Sequence, residues 1–277
     1  MEHLLSAWSK VAEQLRSAKH ILLVADYDGT LTPIVERPEL ANLPKSAKQL
    51  LQALACQHRF TLGIISGRAL TDLKTMVGID GITYVGNHGL EIEGPGLSFV
   101  HPQAEEFRPI LSLMHSVLSQ ALGTIKGVLV EDKGLTLSVH YRQVAADKST
   151  EVKSIFDRIA QGAETLGKIR VTSGKKVYEI RPALAWDKGK AIKMLMKMYG
   201  KSGRKSRLLP VYIGDDVTDE DGFKVIENYE NGISIFVGER DHPSSARYFL
   251  QSPVEVAKFL SILLEQAQRD SRQGDKK

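Results

Sequence analysis

The chain has 277 residues, 42% of them hydrophobic and 25% charged, with a formal net charge of +4. That composition belongs to an ordinary globular protein, and no apolar run nears the ~18 residues of a membrane span. The one cysteine, Cys56, excludes an internal disulfide framework and a thiolate metal cage, fits a reducing cytoplasmic setting, and is expected in the core among apolar helix residues.

The first 19 residues place Leu4, Leu5, Trp8, Val11 and Leu15 at helical spacing and lack the apolar centre of a secretory signal, so a helix packed on the core is expected. Residues 21–25 form an apolar run, read as a buried strand, which breaks into Asp26-Tyr27-Asp28-Gly29-Thr30-Leu31. Two carboxylates thus stand one residue apart at a strand's carboxyl end, followed by a glycine that lets the chain turn. A helix over 46–57, a strand over 61–65, a helix over 69–77 and a short strand over 82–85 come next. This βαβαβ rhythm implies a parallel sheet with right-handed crossovers.

Near residue 105 the rhythm changes to a helix over 106–122 and strands over 127–131 and 135–141. In the second of these, Leu135, Leu137, Val139 and Tyr141 alternate with Thr136, Ser138 and His140, the period of a half-buried antiparallel strand. A helix over 150–166 and strands over 169–172 and 177–181 repeat the pattern. Helix-strand-strand, twice over, reads as an α+β module inserted into the parallel-sheet domain. The first rhythm resumes with a helix over 188–199, a strand over 210–213, a helix over 220–228, a strand over 233–237 and a closing helix over 254–266. The expected fold class is therefore α/β, with a parallel-sheet core over 1–104 and 185–277, an inserted domain over 105–184, and a substrate cleft between them.

Basic residues gather at 201–207 and 269–277, without the interleaved aromatics of a nucleic-acid surface. The expected partner is a small anionic molecule rather than nucleic acid or membrane, and the working expectation is a monomer.

Two later strand ends resemble the first in form. Ser66-Gly67-Arg68 follows one, Gly214-Asp215-Asp216 follows another, and Lys188 opens a helix. In a parallel sheet these ends share one edge. Each member suits hydrolysis of a phosphate ester, whose barrier is mostly charge on the phosphoryl oxygens. Asp26 can attack phosphorus and form an aspartyl phosphate. Asp28 can protonate the leaving sugar oxygen and then deprotonate water. Ser66, with backbone N–H groups at a helix start, can hold phosphoryl oxygens. Lys188 can neutralise the phosphoryl group and restrain Asp26. Asp215, Asp26 and the backbone carbonyl of Asp28 can hold one hard cation such as Mg²⁺.

These motifs resemble those of the haloacid dehalogenase superfamily of phosphohydrolases. Gly86-Asn87-His88-Gly89-Leu90-Glu91, Val130-Glu131-Asp132-Lys133-Gly134, His140-Tyr141-Arg142 and Gly174-Lys175-Lys176-Val177-Tyr178-Glu179-Ile180-Arg181-Pro182 narrow the resemblance to trehalose-6-phosphate phosphatases. It implies a Rossmann-like core, an α/β cap that closes over the site, Mg²⁺, and hydrolysis of trehalose 6-phosphate. It implies that Asp216 and Asp219 lie beside the metal's ligands and that Arg68, Asn87 and His88 face the phosphorylated end of the substrate. In the cap, Glu131, Lys133, Arg142, Lys176 and Glu179 are the implied sugar-binding groups. With no synthase half preceding the motifs, a stand-alone phosphatase is expected.

Plainer readings stand beside these. Ser66 suits a helix N-cap, Lys188 a solvated helix face with Lys190, Lys193 and Lys197, and Asp219 to Asp221 an acidic first turn. His140 reads as structural. A phosphatase of another sugar phosphate, such as sucrose 6-phosphate, mannosyl-3-phosphoglycerate or glucosylglycerol phosphate, shares the core motifs. A phosphomutase shares the aspartate pair, and a non-catalytic sugar-phosphate sensor has no need of the full set.

Overall fold

The computed structural model describes residues 1–200 and 208–274; the basic run at 201–207 and the last three residues of the basic tail lie outside the described residues. The chain opens with a two-residue strand β1 (Glu2–His3) and helix α1 (Trp8–Ser17). Then come β2 (His20–Asp26), α2 (Lys45–Ala55), β3 (Phe60–Ile65), α3 (Leu70–Val77), β4 (Thr83–Gly86), β5 (Glu91–Gly94) and β6 (Leu97–Val100). Next are α4 (Arg108–Leu122), β7 (Leu129–Asp132), β8 (Leu137–His140), α5 (Ser149–Thr165), β9 (Ile169–Gly174) and β10 (Val177–Pro182). The chain continues through α6 (Lys188–Tyr199), β11 (Leu208–Gly214), α7 (Glu220–Glu227), β12 (Ile233–Val237), β13 (Tyr248–Leu250) and α8 (Pro253–Gly274). Two compact units result, Met1–Ser98 with Asp187–Lys277, and Phe99–Trp186.

The first unit is built on a sheet of order β1-β13-β12-β11-β2-β3-β4-β5-β6. Its centre is parallel: β11 pairs with β2 and β12, and β2 with β3. These strands read as continuous apolar runs because both faces are covered. Leu23, Ile64, Ile213 and Ile235 are all essentially buried, each burial stabilising by about 1.5–3 kcal/mol. Parallel pairing brings the carboxyl ends of β2, β3, β4 and β11 to one edge, the edge where Asp26, Ser66, Asn87 and Asp215 stand.

The sheet is mixed rather than wholly parallel, since β5 pairs antiparallel with β4. The expected N-terminal helix is shorter than its apolar pattern suggests, because Glu2 and His3 pair with Tyr248 and Phe249 of β13. Cys56 is not a core residue: α2 ends at Ala55, and the cysteine lies exposed at its C-cap. Among the described residues, no helix is long and apolar enough to cross a membrane.

The second unit is an antiparallel sheet of order β7-β8-β10-β9 with α4 and α5. Val139, Tyr178 and Ile180 join Leu111, Leu118 and Phe156 in its core. Residues directly opposite in register share a face. Glu131, Ser138 and Glu179 form one such row across three strands, so the face turned from the helices is polar.

Candidate active site

Asp26 is the last residue of β2, and its carboxylate is nearly enclosed. Lys188 opens α6 behind the N-cap Asp187, whose carboxylate accepts from the Lys190 N–H at 2.8 Å. The cap fixes the helix start, and with it the lysine. Lys188 is 3% exposed, so it is not on a solvated helix face. Its Nζ donates to Asp26 Oδ1 at 2.6 Å and to Asp219 Oδ1 at 2.7 Å.

Asp219 is fully buried and has donors on both oxygens. Oδ1 receives Lys188 and the Tyr212 hydroxyl, and Oδ2 receives the backbone N–H groups of Asp215 and Asp216, both at 3.0 Å. Asp216 caps the short turn that follows, accepting from the Val217 N–H at 2.7 Å. Asp215 Oδ1 accepts from the Thr30 hydroxyl at 3.3 Å. Burial is the largest cause lifting the Asp26 carboxyl well above the usual carboxylate range; Lys188 opposes the lift, and Asp219 and Asp215 add to it. Burial works against the Lys188 charge, but Asp219 and Asp26 outweigh it and hold the ammonium above the ordinary lysine range. Burial and Asp219 also push the Tyr212 phenol far up, so its hydroxyl stays a donor.

Asp28 is the more open carboxylate, with 38% of its side chain exposed against 7% for Asp26. Arg68 grips it with Nε on Oδ2 at 2.7 Å and Nη2 on Oδ1 at 2.6 Å, and Ser66 Oγ lies 3.4 Å from Oδ2. The same guanidinium reaches the Pro38 carbonyl at 2.8 Å and lies over the Tyr27 ring. Ser66 is not a helix cap: α3 begins only at Leu70 behind Ala69, and Ser66 Oγ accepts instead from the Arg68 N–H at 3.2 Å. Asn87 and His88 both have left-handed backbones, with φ of 47° and 55°. That rare conformation is held by the Asn87 N–H on the Arg68 carbonyl at 2.7 Å and the His88 N–H on the Ser66 carbonyl at 3.0 Å. The Asn87 side chain donates to Glu91 at 2.6 Å.

The implied sugar-binding residues fall in the second unit in separate groups. Lys133 donates to Glu179 Oε1 at 3.2 Å, and Arg181 holds Glu179 Oε2 at 2.6 Å. Glu131 pairs with His140 at 2.7 Å, so His140 has a polar partner that its strand pattern did not suggest. Arg142 donates to the Lys175 carbonyl at 2.7 Å, and Lys176 lies over the Tyr141 ring.

Residues 24–254 match the sequence profile of the family described as trehalose-phosphatase. The chain belongs to the trehalose-phosphatase family. It is 35% identical to probable trehalose-phosphate phosphatase D of Arabidopsis thaliana, over 97% of this chain and 73% of that one. It is 36% identical to trehalose 6-phosphate phosphatase RA3 of Zea mays, over 88% and 70%. Among solved structures, the C-terminal domain of Candida albicans trehalose-6-phosphate phosphatase has a TM-score of 0.81 at 23% identity, covering 93% of this chain and 96% of that one. That likeness concerns the α/β fold alone. Within the trehalose-phosphatase family the chain is a phosphoric monoester hydrolase.

The carboxylate cluster has the oxygen ligands a hard cation needs. Carboxylate oxygens of Asp26, Asp215 and Asp219 lie within 4.8 Å of one another, and all three residues are buried. Since Asp219 already has four donors, Asp26 and Asp215 are the better ligand candidates. Three enclosed carboxylates with a single ammonium, Lys188, held by two of them leave excess negative charge, which a divalent ion with oxygen ligands would balance.

Gly29 shapes this site. Its φ is +90°, and a Cβ there would fall inside the Asp215 carboxylate. Gly29→Ala is expected to displace Asp215 and lower kcat about 100-fold. Gly81 is the control: its φ is +76° with nothing within 4 Å of a Cβ. Gly81→Ala should cost only the left-handed strain, about 1–2 kcal/mol, with kcat unchanged. Steady-state kinetics and urea denaturation of the two variants would check the contrast, and equal kcat losses would contradict it.

Proposed function

We propose that the chain hydrolyses trehalose 6-phosphate to trehalose and phosphate, with Mg²⁺ as cofactor and an aspartyl phosphate on Asp26 as intermediate. The observation that carries this reading is the enclosed Asp26 carboxylate, held at a strand end by Lys188 beside Asp215 and Asp219. The substrate follows from the family and from relatives whose names specify trehalose phosphate.

Asp26 attacks phosphorus, and the bond between phosphorus and the sugar oxygen breaks. Asp28 gives its proton to that oxygen, and trehalose leaves. Water then attacks the aspartyl phosphate, Asp28 takes up the water's proton, and phosphate departs with Asp26 restored. Asp28 can serve both halves because it is the more exposed carboxylate; the acid half requires Arg68 to release one of its two bonds. Lys188 orients Asp26 and offsets charge on the phosphoryl oxygens. Ser66 is suited to receive one of those oxygens. Asp26, Asp215 and the Asp28 carbonyl would hold Mg²⁺, whose charge lets an anionic nucleophile approach an anionic ester. Glu131, Lys133, Arg142, Lys176 and Glu179 are proposed partners of the sugar hydroxyls, a set with both donors and acceptors.

Phosphate release across a panel of sugar phosphates with Mg²⁺ tests the substrate. The expected result is the largest kcat/KM for trehalose 6-phosphate; a larger value for sucrose 6-phosphate, mannosyl-3-phosphoglycerate or glucosylglycerol phosphate would replace it. EDTA should stop turnover and added Mg²⁺ restore it, whereas full activity in EDTA would exclude the metal.

A further inference from the structure

Tyr212 is a fully buried phenol in β11 that the reaction above leaves without a task. Its ring packs against Phe223 of α7, with centroids 5.4 Å apart. A phenylalanine would fill the same space without burying a hydroxyl, and burying a hydroxyl is costly unless its hydrogen bond matters. That bond goes to Asp219 Oδ1, the same oxygen that receives Lys188, and Lys188 in turn holds Asp26. A continuous chain of hydrogen bonds therefore runs from the sheet interior to the proposed nucleophile.

The link has a physical consequence. Lys188 is a compact charge on a flexible stem, shared between two carboxylates. With the phenol in place, Asp219 Oδ1 has a second donor and competes less for the ammonium. Without it, Lys188 would be the side-chain donor on that oxygen and would be drawn toward Asp219, away from Asp26.

We infer that Tyr212 is a positioning residue for phosphoryl transfer, acting through Asp219 and Lys188 to keep the ammonium on Asp26. The inference rests on Asp26 being the nucleophile. Tyr212→Phe is expected to lower kcat for trehalose 6-phosphate about 10- to 100-fold, the effect of one hydrogen bond to a charged group, with KM little changed. Beryllofluoride, which adds to an aspartate in place of a phosphoryl group, should bind the variant more weakly by a similar factor.

A purely structural role would give a different pattern. Phe223→Leu loosens the same packing but keeps the hydroxyl, so it should lower Tm with kcat unchanged. If kcat instead tracks Tm in both variants, Tyr212 is only a packing residue and the inference fails. In an Asp219→Asn background, the effect of Tyr212→Phe on beryllofluoride binding should vanish; a full additive effect would overturn the proposed route. Asp26→Asn separates the two claims. An active Asp26→Asn enzyme overturns the nucleophile, whereas an inactive one beside a Tyr212→Phe enzyme of normal kcat overturns the Tyr212 inference alone.

Discussion

Asp26→Asn is expected to abolish turnover, lowering kcat by about 10⁴-fold or more, because no other group takes over bond formation to phosphorus. The same substitution is expected to stabilise the metal-free protein. Burial, Asp219 and Asp215 lift the Asp26 carboxyl, and Lys188 only partly offsets them. An acid whose folded pKa is raised contributes stability below its unfolded pKa and loses it as pH rises through the folded value. At neutral pH in EDTA, the enclosed Asp26 charge therefore costs stability, and Asn removes that cost. Thermal unfolding in EDTA should give a higher Tm for Asp26→Asn than for the natural protein. The gap should close as pH falls into the ordinary carboxylate range. Added Mg²⁺ should stabilise the natural protein more than the variant, since it binds the folded carboxylates. A variant with lower Tm at neutral pH in EDTA would contradict this reading of the site's charge.

Lys188→Met should affect both fold and chemistry. Methionine keeps an apolar stem but removes the ammonium, leaving Asp26 and Asp219 enclosed without their shared cation. Breaking a buried pair from one side costs about 3–5 kcal/mol. Loss of a charge aimed at the phosphoryl oxygens should lower kcat about 10²- to 10³-fold in the molecules that remain folded. Urea denaturation separates the two effects. Adding Asp219→Asn to Lys188→Met should recover part of the stability, because it removes one unpaired charge, and it should recover no activity. A Lys188→Met protein with unchanged stability would mean that the carboxylates never depended on the lysine.

Much of the candidate site's edge was legible because apolar parallel strands end abruptly in polar residues. The runs before Asp26, Ser66 and Asp215 needed no tertiary knowledge, and parallel pairing then brings their ends together. Other features depend on distant partners. β1 is two residues long and exists only through β13, itself three residues long, so neither carries a periodic signal. Arg68 reads as a loop charge in sequence, yet forty residues back it finds both oxygens of Asp28. Tyr212 looks like any inward residue of a buried strand; its hydroxyl matters because the turn after β11 brings Asp219 back beneath it. His140 occupies a polar position of an alternating strand, and only the cross-strand register sets it diagonally from Glu131, within hydrogen-bond reach, and brings Glu131 and Glu179 onto one face.

Chemical trapping of the phosphoryl group addresses the nucleophile most directly. The enzyme would be mixed with trehalose 6-phosphate and Mg²⁺, quenched in acid within one turnover, reduced with borohydride and mapped by peptide mass spectrometry. An acyl phosphate at position 26 is reduced to homoserine, so homoserine at that position, absent without substrate, is the expected result. An unmodified Asp26 in enzyme that releases phosphate at its normal rate, or a trapped group on any other residue, would contradict it.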